Sequence, residues 1–362
     1  MKRYLAFLLS LFLSAALITS RSETSLIDID SDWQAYSFCA SEKKIFIGGY
    51  ISISEGETSA FVASINSDST IDWEQTSTTD PALASSSLIR QITLLKDNVT
   101  VVLAIDKEAN LSHLITYDQN GSSHVLTSID KDILFIAPFN DTILCSYMSI
   151  PYAETTLVCF DLFGHRLWSK SITKGIQFHD STVIDNCLYL TGVSFDEYQD
   201  NPRGILYRIE NNTISEIYSS GRYSVFNAMA SSLGDLMLVG CTQPMSATPE
   251  EVFLVNYQTK NTSFIEKTHP FNSAISGEIQ CCYYDEVTSN YLFTYRTRKQ
   301  IGSIWICRAK SNGSIILEQP LYLSSNSRAI ASTIINDHEL IVSCRNTISD
   351  EYSIVVIHIK NE

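Results

Sequence analysis

Carboxylates recur along the chain in short groups separated by long apolar runs. They are Glu55 with Glu57, Asp106 with Glu108, Asp196 with Glu197 and Asp200, Glu250 with Glu251, and Asp350 with Glu351. Acidic oxygens gathered from several loops are the donor set of a hard divalent cation such as Ca²⁺. They are equally a surface that receives a basic protein segment. Tyr152 and Tyr198 fall in loops of the same kind and would add apolar contact. One segment reverses the sign, with Arg296, Arg298 and Lys299. No loop has the closely spaced alternating Asp/Asn run of an EF-hand, so no cofactor is expected and Ca²⁺ is the one candidate ion.

Other chemistry leaves no local signature. There is no Gly-rich phosphate loop, no Gly-x-Ser-x-Gly elbow and no His-Glu-x-x-His pair. The seven histidines are dispersed, none at metal-ligand spacing, and they read as surface or packing residues. Most of the nine cysteines sit inside strand-like apolar runs and read as small buried hydrophobes. Their number is odd, so at least one is free or pairs between chains. Cys145 and Cys159 are the best bridging candidates, because they flank a hairpin centred near Tyr152 and could face each other across adjacent strands. A catalytic site assembled from distant residues is left open by a motif search, so enzyme activity stays undecided, leaning to none.

The elements that would position these loops form a repeat. The stretch Val158 to Ile172 reads as strand, tight turn and strand, with Phe160 and Asp161 before the turn, Gly164 closing it and Trp168 after it. Its turn begins at Asp161, and equivalent turns begin at Asn66, Asp118, Glu210, Gln258, Lys310 and Lys360, in steps of 43 to 52 residues. Each period holds four strand-like runs a, b, c and d. The a–b and c–d links are tight and the b–c loops variable. A period near 50 with four strands is the signature of a propeller, and the acidic groups fall in its b–c loops, on one rim. The b runs, such as Ile45 to Tyr50 and Leu236 to Cys241, are almost continuously apolar, as expected of strands covered on both faces. Small residues in them (Gly48, Ala104, Cys145, Gly192, Gly240 and Ser343) are placed where neighbouring blades would crowd.

The expected fold is therefore all-β, a seven-bladed propeller of four-stranded antiparallel blades. The blades span approximately 33–78, 87–129, 132–172, 177–219, 223–268, 275–322 and 328–362. The seventh repeat ends without a d strand, and the alternating segment 25–30 near the N-terminus is the right length to supply it and close the ring. Residues 1–20 read as a signal peptide: Lys2 and Arg3 precede an apolar run from Tyr4 to Ile18, followed by small and polar residues. A membrane anchor is the alternative, although the run is short for a span. Residues 21–362 then form one propeller domain, which would be secreted or held in the periplasm or cell envelope. The formal charge of −15 becomes −17 without Lys2 and Arg3, with 23 basic against 40 acidic residues. Such an excess disfavours nucleic acid as a partner.

The c–turn–d unit resembles the repeats of bacterial secreted seven-bladed β-propeller proteins, which are related in pattern to quinoprotein repeats. Ala60, Phe61 and Val62 with Trp73 carry the resemblance, as do Phe160, Asp161 and Gly164 with Trp168. The other repeats replace the Trp with Leu126, Ile217, Ile265 and Ile316. The resemblance covers about residues 25–362 and implies the fold, with the Trp pointing outward. Nothing matches the residues that hold a quinone cofactor, and the Ser/Asp-box turns of propeller sialidases are absent. The reading that follows is a monomeric, non-enzymatic binding scaffold, taking a protein partner or a divalent cation on its acidic rim. The alternative is an extracellular carbohydrate-active hydrolase or lyase with carboxylates drawn from several blades.

Overall fold

A computed structural model of the chain describes residues 24–27, 33–41, 44–54, 57–66, 70–84, 87–95, 99–149, 154–195, 201–232, 234–242, 250–271, 277–297, 303–322, 327–336, 339–346 and 352–358. Seven antiparallel four-stranded sheets follow one another along the chain. Blade 1 is β2 (Trp33–Ala40), β3 (Lys44–Ser54), β4 (Glu57–Asn66) and β5 (Ile71–Thr76). Blade 2 is β6 (Ser87–Leu94), β7 (Thr100–Asp106), β8 (Leu111–Tyr117) and β9 (Ser123–Ile129). Blade 3 is β10 (Phe135–Phe139), β11 (Thr142–Met148), β12 (Thr155–Asp161) and β13 (Arg166–Ile172). Blade 4 is β14 (Gly175–Ile184), β15 (Cys187–Phe195), β16 (Arg203–Glu210) and β17 (Thr213–Ser219). Blade 5 is β18 (Ser224–Ser231), β19 (Asp235–Thr242), β20 (Glu251–Gln258) and β21 (Ser263–Pro270). Blade 6 is β22 (Gly277–Asp285), β23 (Asn290–Thr297), β24 (Ser303–Ala309) and β25 (Ile315–Tyr322). Blade 7 is β26 (Ser327–Asn336), β27 (Glu339–Asn346) and β28 (Tyr352–His358), with β1 (Thr24–Ile27) as its fourth strand. Thr24 pairs with Ile357 and Ile27 with Ile354. Residues 28–30 of the expected closing segment lie outside the described residues.

The apolar side chains divide into seven clusters, and each lies between two neighbouring blades rather than within one. Phe46, Ala60, Val62 and Trp73 of blade 1 meet Ile89, Ile92, Val102 and Tyr117 of blade 2. The opposite face of the same strands, through Ile47, Phe61, Ala63 and Ile65, meets Ile341, Ile354 and Val356 of blade 7. Successive residues of one strand thus serve two different seams. That is why β7, β15 and β19 carry almost unbroken apolar runs. Exposure rises outward, and β13, the outermost strand of blade 3, has no buried residue.

The repeating turn has a shared geometry. The amide of Asp161 donates to the His165 carbonyl, and Gly164 donates back to Asp161. Asp118 with Gly121 and Lys310 with Gly313 repeat this, and all three glycines have φ near +80° (77°, 81° and 77°). Left-handed φ at the fourth position suits Gly, and the aspartate Oδ1 holds the turn by accepting two further amides in blades 2 and 3. Each turn also packs under the preceding blade. A Cβ on Gly121 would sit 2.7 Å from the Trp73 ring, and one on Gly164 would sit 1.9 Å from the Leu126 carbonyl.

Three expectations are corrected here. Trp73 does not point outward: it is buried, stacked on Tyr117 with centroids 5.6 Å apart, because the Gly121 turn of blade 2 closes over it. Trp168 is half-buried against the seam between blades 3 and 4. Cys145 and Cys159 do not bridge. In the β11–β12 register Cys145 opposes Val158 and Cys159 opposes Leu144, a one-residue offset that sends the two thiols to opposite faces. Cys145 packs between blades 2 and 3 and Cys159 between blades 3 and 4, and none of the nine cysteines, all among the described residues, forms a disulfide. Finally, Gly48 does face the next blade at Ile89 and Ile92, but Gly192 and Gly240 are crowded by their own blade. A Cβ there would meet the Gln177 and Val225 carbonyls at 2.1 and 1.9 Å.

Trp73→Ala should therefore cost about 3–5 kcal/mol in denaturant unfolding, and Trp168→Ala distinctly less. Equal losses would mean that Trp73 is not the more deeply packed ring. Reducing agent should leave the melting temperature unchanged.

Candidate functional site

The b–c and d–a connections share one rim, and in blades 2 and 3 strand c opens with a hydroxyl that fixes it. Ser112 Oγ donates to the Lys131 carbonyl at 2.7 Å and accepts from Ile133 N at 3.0 Å. Thr155 Oγ1 does the same between Lys174 and Ile176, and in blade 4 Gly204 N donates to Ser224 Oγ at 3.1 Å. A buried hydroxyl with both capacities used ties the end of one blade to the start of the next.

Of the acidic and tyrosine candidates, Glu55, Tyr152, Asp196, Glu197, Tyr198, Asp200, Asp350 and Glu351 lie outside the described residues. Glu57 is described through its backbone alone, as the first residue of β4. Asp106 ends β7 buried, and its Oδ1 accepts from Glu108 N at 3.0 Å and Ala109 N at 3.1 Å, so it shapes its own loop. Glu108 is exposed in that loop. Glu250 and Glu251 lead into β20, where Glu251 N donates to Thr242 Oγ1. In the basic sector, Arg296 is committed to Glu278 and to the Ala329 and Ile330 carbonyls of blade 7. Arg298 and Lys299 lie outside the described residues.

The innermost strands meet around the ring, and six of the seven carry a bulge at the same level: β2, β6, β14, β18, β22 and β26. The extra residue redirects polar side chains toward the next blade. Ser37 Oγ accepts from Ile92 N at 2.9 Å. Gln91 clamps Ile136 by its amide and carbonyl, both at 2.8 Å. Asp180 Oδ2 accepts from Met229 N at 2.7 Å, and His179 Nδ1 donates to the Phe226 carbonyl at 2.7 Å.

Asp180 stands out chemically. Burial pushes its pKa up to about 6 against the pull of the Met229 and Ser181 amides. Burial lowers that of His179, which therefore donates from a neutral ring. Cys281 and Cys282 of blade 6 feel the Asp180 charge, and burial pushes Cys281 up to about 11 and Cys282 well above the usual thiol range. Neutral thiols are poor nucleophiles, so what this wall offers is a proton-exchanging carboxylate. Among the described residues no group of three or more His, Cys, Asp or Glu side chains could hold a metal ion.

A second cluster lies where blades 7 and 1 meet. Tyr36, the bulge residue of β2, is 43% exposed and stacks on Tyr50 with centroids 5.2 Å apart and hydroxyls at 2.9 Å. Its hydroxyl also donates to Gln34 Oε1. Arg345 lies 5.8 Å over the Tyr352 ring, and both are near enough to act on the Tyr36 hydroxyl. Burial, the Tyr50 hydrogen bond and Tyr352 raise the Tyr36 pKa, so the phenol stays neutral. Neither cluster is visible by spacing. The one hint is a polar His179–Asp180 pair inside an otherwise strand-like run.

No family model and no curated protein matches the sequence. Among solved structures the chain is similar to the β-propeller domain of the Trilobed protease from Pyrococcus furiosus, at 9% identity and TM-score 0.59 over 91% of this chain and 94% of that one. It is similar to virginiamycin B lyase from Staphylococcus aureus, at 14% identity and TM-score 0.60 over 92% and 98%. It is also similar to an acylaminoacyl peptidase from Pyrococcus horikoshii, at 8% identity and TM-score 0.59 over 91% and 53%. These likenesses place the chain among β-propellers by fold. The Pyrococcus furiosus domain is described as having an open velcro topology. Here β1 pairs with β28.

The Asp180 carboxyl holds its proton in the folded chain up to about pH 6, whereas in an unfolded chain it loses it near 3.9. Folding therefore binds protons between those values, and this group's contribution to stability falls as pH rises from about 4 to 6. Asp180→Asn should flatten that part of the melting-temperature profile. Parallel profiles for the two proteins would remove Asp180 from the titration.

Proposed function

We propose that the chain is a binding propeller that presents its b–c rim and channel mouth to a protein partner. The observation that carries this is the Tyr36–Tyr50 stack beside the Arg345–Tyr352 pair. Tyrosine and arginine in a pre-ordered patch are the residue types that dominate binding hot spots, since they bury large areas at small entropic cost. The frame beneath is held by inter-blade hydrogen bonds, so little ordering remains to be done on binding. The acidic balance of the chain favours a partner with a basic surface, attracted at long range. Ca²⁺ at the acidic loops is the subsidiary proposal. Location in the secreted fraction or cell envelope belongs to the same reading and rests on the N-terminal sequence.

A second reading, an extracellular carbohydrate-active hydrolase or lyase, is favoured by one observation: Asp180 titrates near pH 6, where a general acid or base works. Asp180→Asn would abolish such activity while leaving partner binding intact.

The test is crosslinking in the native secreted and envelope fractions, comparing the natural chain with Tyr36→Ala combined with Arg345→Ala. A partner lost by about tenfold or more from the variant, at unchanged melting temperature, is the expected result. Undiminished recovery of the same partner would place the interface elsewhere.

A further inference from the structure

The bulges of the innermost strands leave one residue in each outside the alternation of the sheet, and these residues differ from blade to blade. In blades 4, 5 and 6 the residue before the bulge (Phe178, Phe226 or Ile279) packs into the seam with the preceding blade. The residue after it faces the following blade. Asp180 reaches Met229, Ala228 joins the seam between blades 5 and 6, and Cys281 packs against the seam between blades 6 and 7. The unpaired residue between them is His179, Asn227 or Gln280. It belongs to neither seam and is left toward the axis of the ring, half-buried.

Hydrogen-bonding capacity at this level is spent in one sector and unspent in the other. Tyr36 of blade 1 is engaged with Tyr50 and Gln34, and Arg90 of blade 2 with Asp132 and the Ile133 carbonyl. The bulge residue of blade 7 is the apolar Ile330, and β10 of blade 3 has no bulge. In blades 5 and 6 the Asn227 and Gln280 amides make no hydrogen bond among the described residues. In blade 4 His179 donates from Nδ1 to the Phe226 carbonyl, so its neutral ring presents Nε2 as an acceptor. Asp180 beside it has both oxygens engaged, by Met229 N and Ser181 N. Three adjacent blades thus offer an arc of one acceptor and two donor–acceptor amides, all uncharged.

Such an arc matches a ligand whose polar groups radiate in one plane, each able to donate and to accept. The hydroxyls around a sugar ring have both properties. A peptide laid along the axis does not, because its residues advance by about 3.4 Å and few of its amides would meet this level. An anionic sugar would be opposed by the acidic balance of the chain. The geometry points to a binding site for a neutral saccharide in the central channel, held by His179, Asn227 and Gln280. The site needs neither the rim patch at Tyr36 and Arg345 nor catalysis by Asp180. Sugar bound and left uncleaved would therefore refute the hydrolase reading alone.

The test titrates the full chain with the methyl glycosides of glucose, galactose, mannose and N-acetylglucosamine, followed by ligand-observed nuclear magnetic resonance. At least one should bind, and its affinity should fall about tenfold or more when Asn227→Ala is combined with Gln280→Ala. Each single change should cost roughly threefold or more, and is read instead if the double variant does not fold. Lys107→Ala, in the b–c loop of blade 2, should bind as the natural chain does. Four results would each overturn the proposal. They are no binding of any of the glycosides, undiminished binding by the Asn227 and Gln280 variants, methyl glucuronide held as tightly as methyl glucoside, or acetyl-triglycine amide held more tightly than every glycoside.

Discussion

Every blade of this protein is apolar on both faces, and that condition governs the rest. A sheet with two buried faces has no stable existence alone, so each blade depends on both neighbours, and the seventh must return to the first. The seven seams meet this requirement as separate clusters, each drawing alternate residues from the strands on either side. Phe61 and Ala63 look toward blade 7 while Ala60 and Val62 look toward blade 2. With the last blade taking its outer strand from the N-terminal end of the chain, the contact that joins blades 7 and 1 is tied by the longest sequence separation in the molecule.

Packing alone leaves the innermost strands with polar groups to satisfy where blades converge. The bulges resolve this by inserting one extra residue in six of the seven innermost strands, so that Ser37, Gln91 and Asp180 reach the backbone of the following blade. In two of these links a neutral side chain suffices. In the third a carboxylate is used, and its burial costs stability once it is ionised. The hydroxyls of Ser112 and Thr155 complete the same work at the rim. Because the frame is fixed from below, the b–c loops are free to differ in length and composition from blade to blade.

The two faces consequently have different characters. The rim and the mouth combine aromatic, arginine and carboxylate groups, several already engaged with one another. The turn face is held by short, stereotyped turns whose tips happen to be apolar in blades 3 and 6. The seams themselves are built mainly by the strands, so the exposed tips can vary while the core pattern is kept.

Much of the fold was legible because its determinants are local and repeated. The b runs announced strands covered on both sides, and the turn at Asp161 to His165 could be read from an aspartate and a glycine three residues apart. The missing d strand of the last repeat pointed to the N-terminal segment. The candidate site was legible only as composition. The sequence shows that Asp106 and Glu108 are acidic and lie in a loop, but not that Asp106 turns inward to cap that loop. What the tertiary structure decided was everything set by a neighbouring blade. Trp73 is buried because a turn from blade 2 lies over it. Cys145 and Cys159 are parted by a one-residue offset between strands, and Asp180 is raised toward pH 6 by its position in a wall built from several blades. Tyr36, Tyr50, Arg345 and Tyr352 meet because the ends of the chain meet. Local patterning fixes the period and hand of the strands, whereas which side chains share a surface depends on how seven sheets close around one axis.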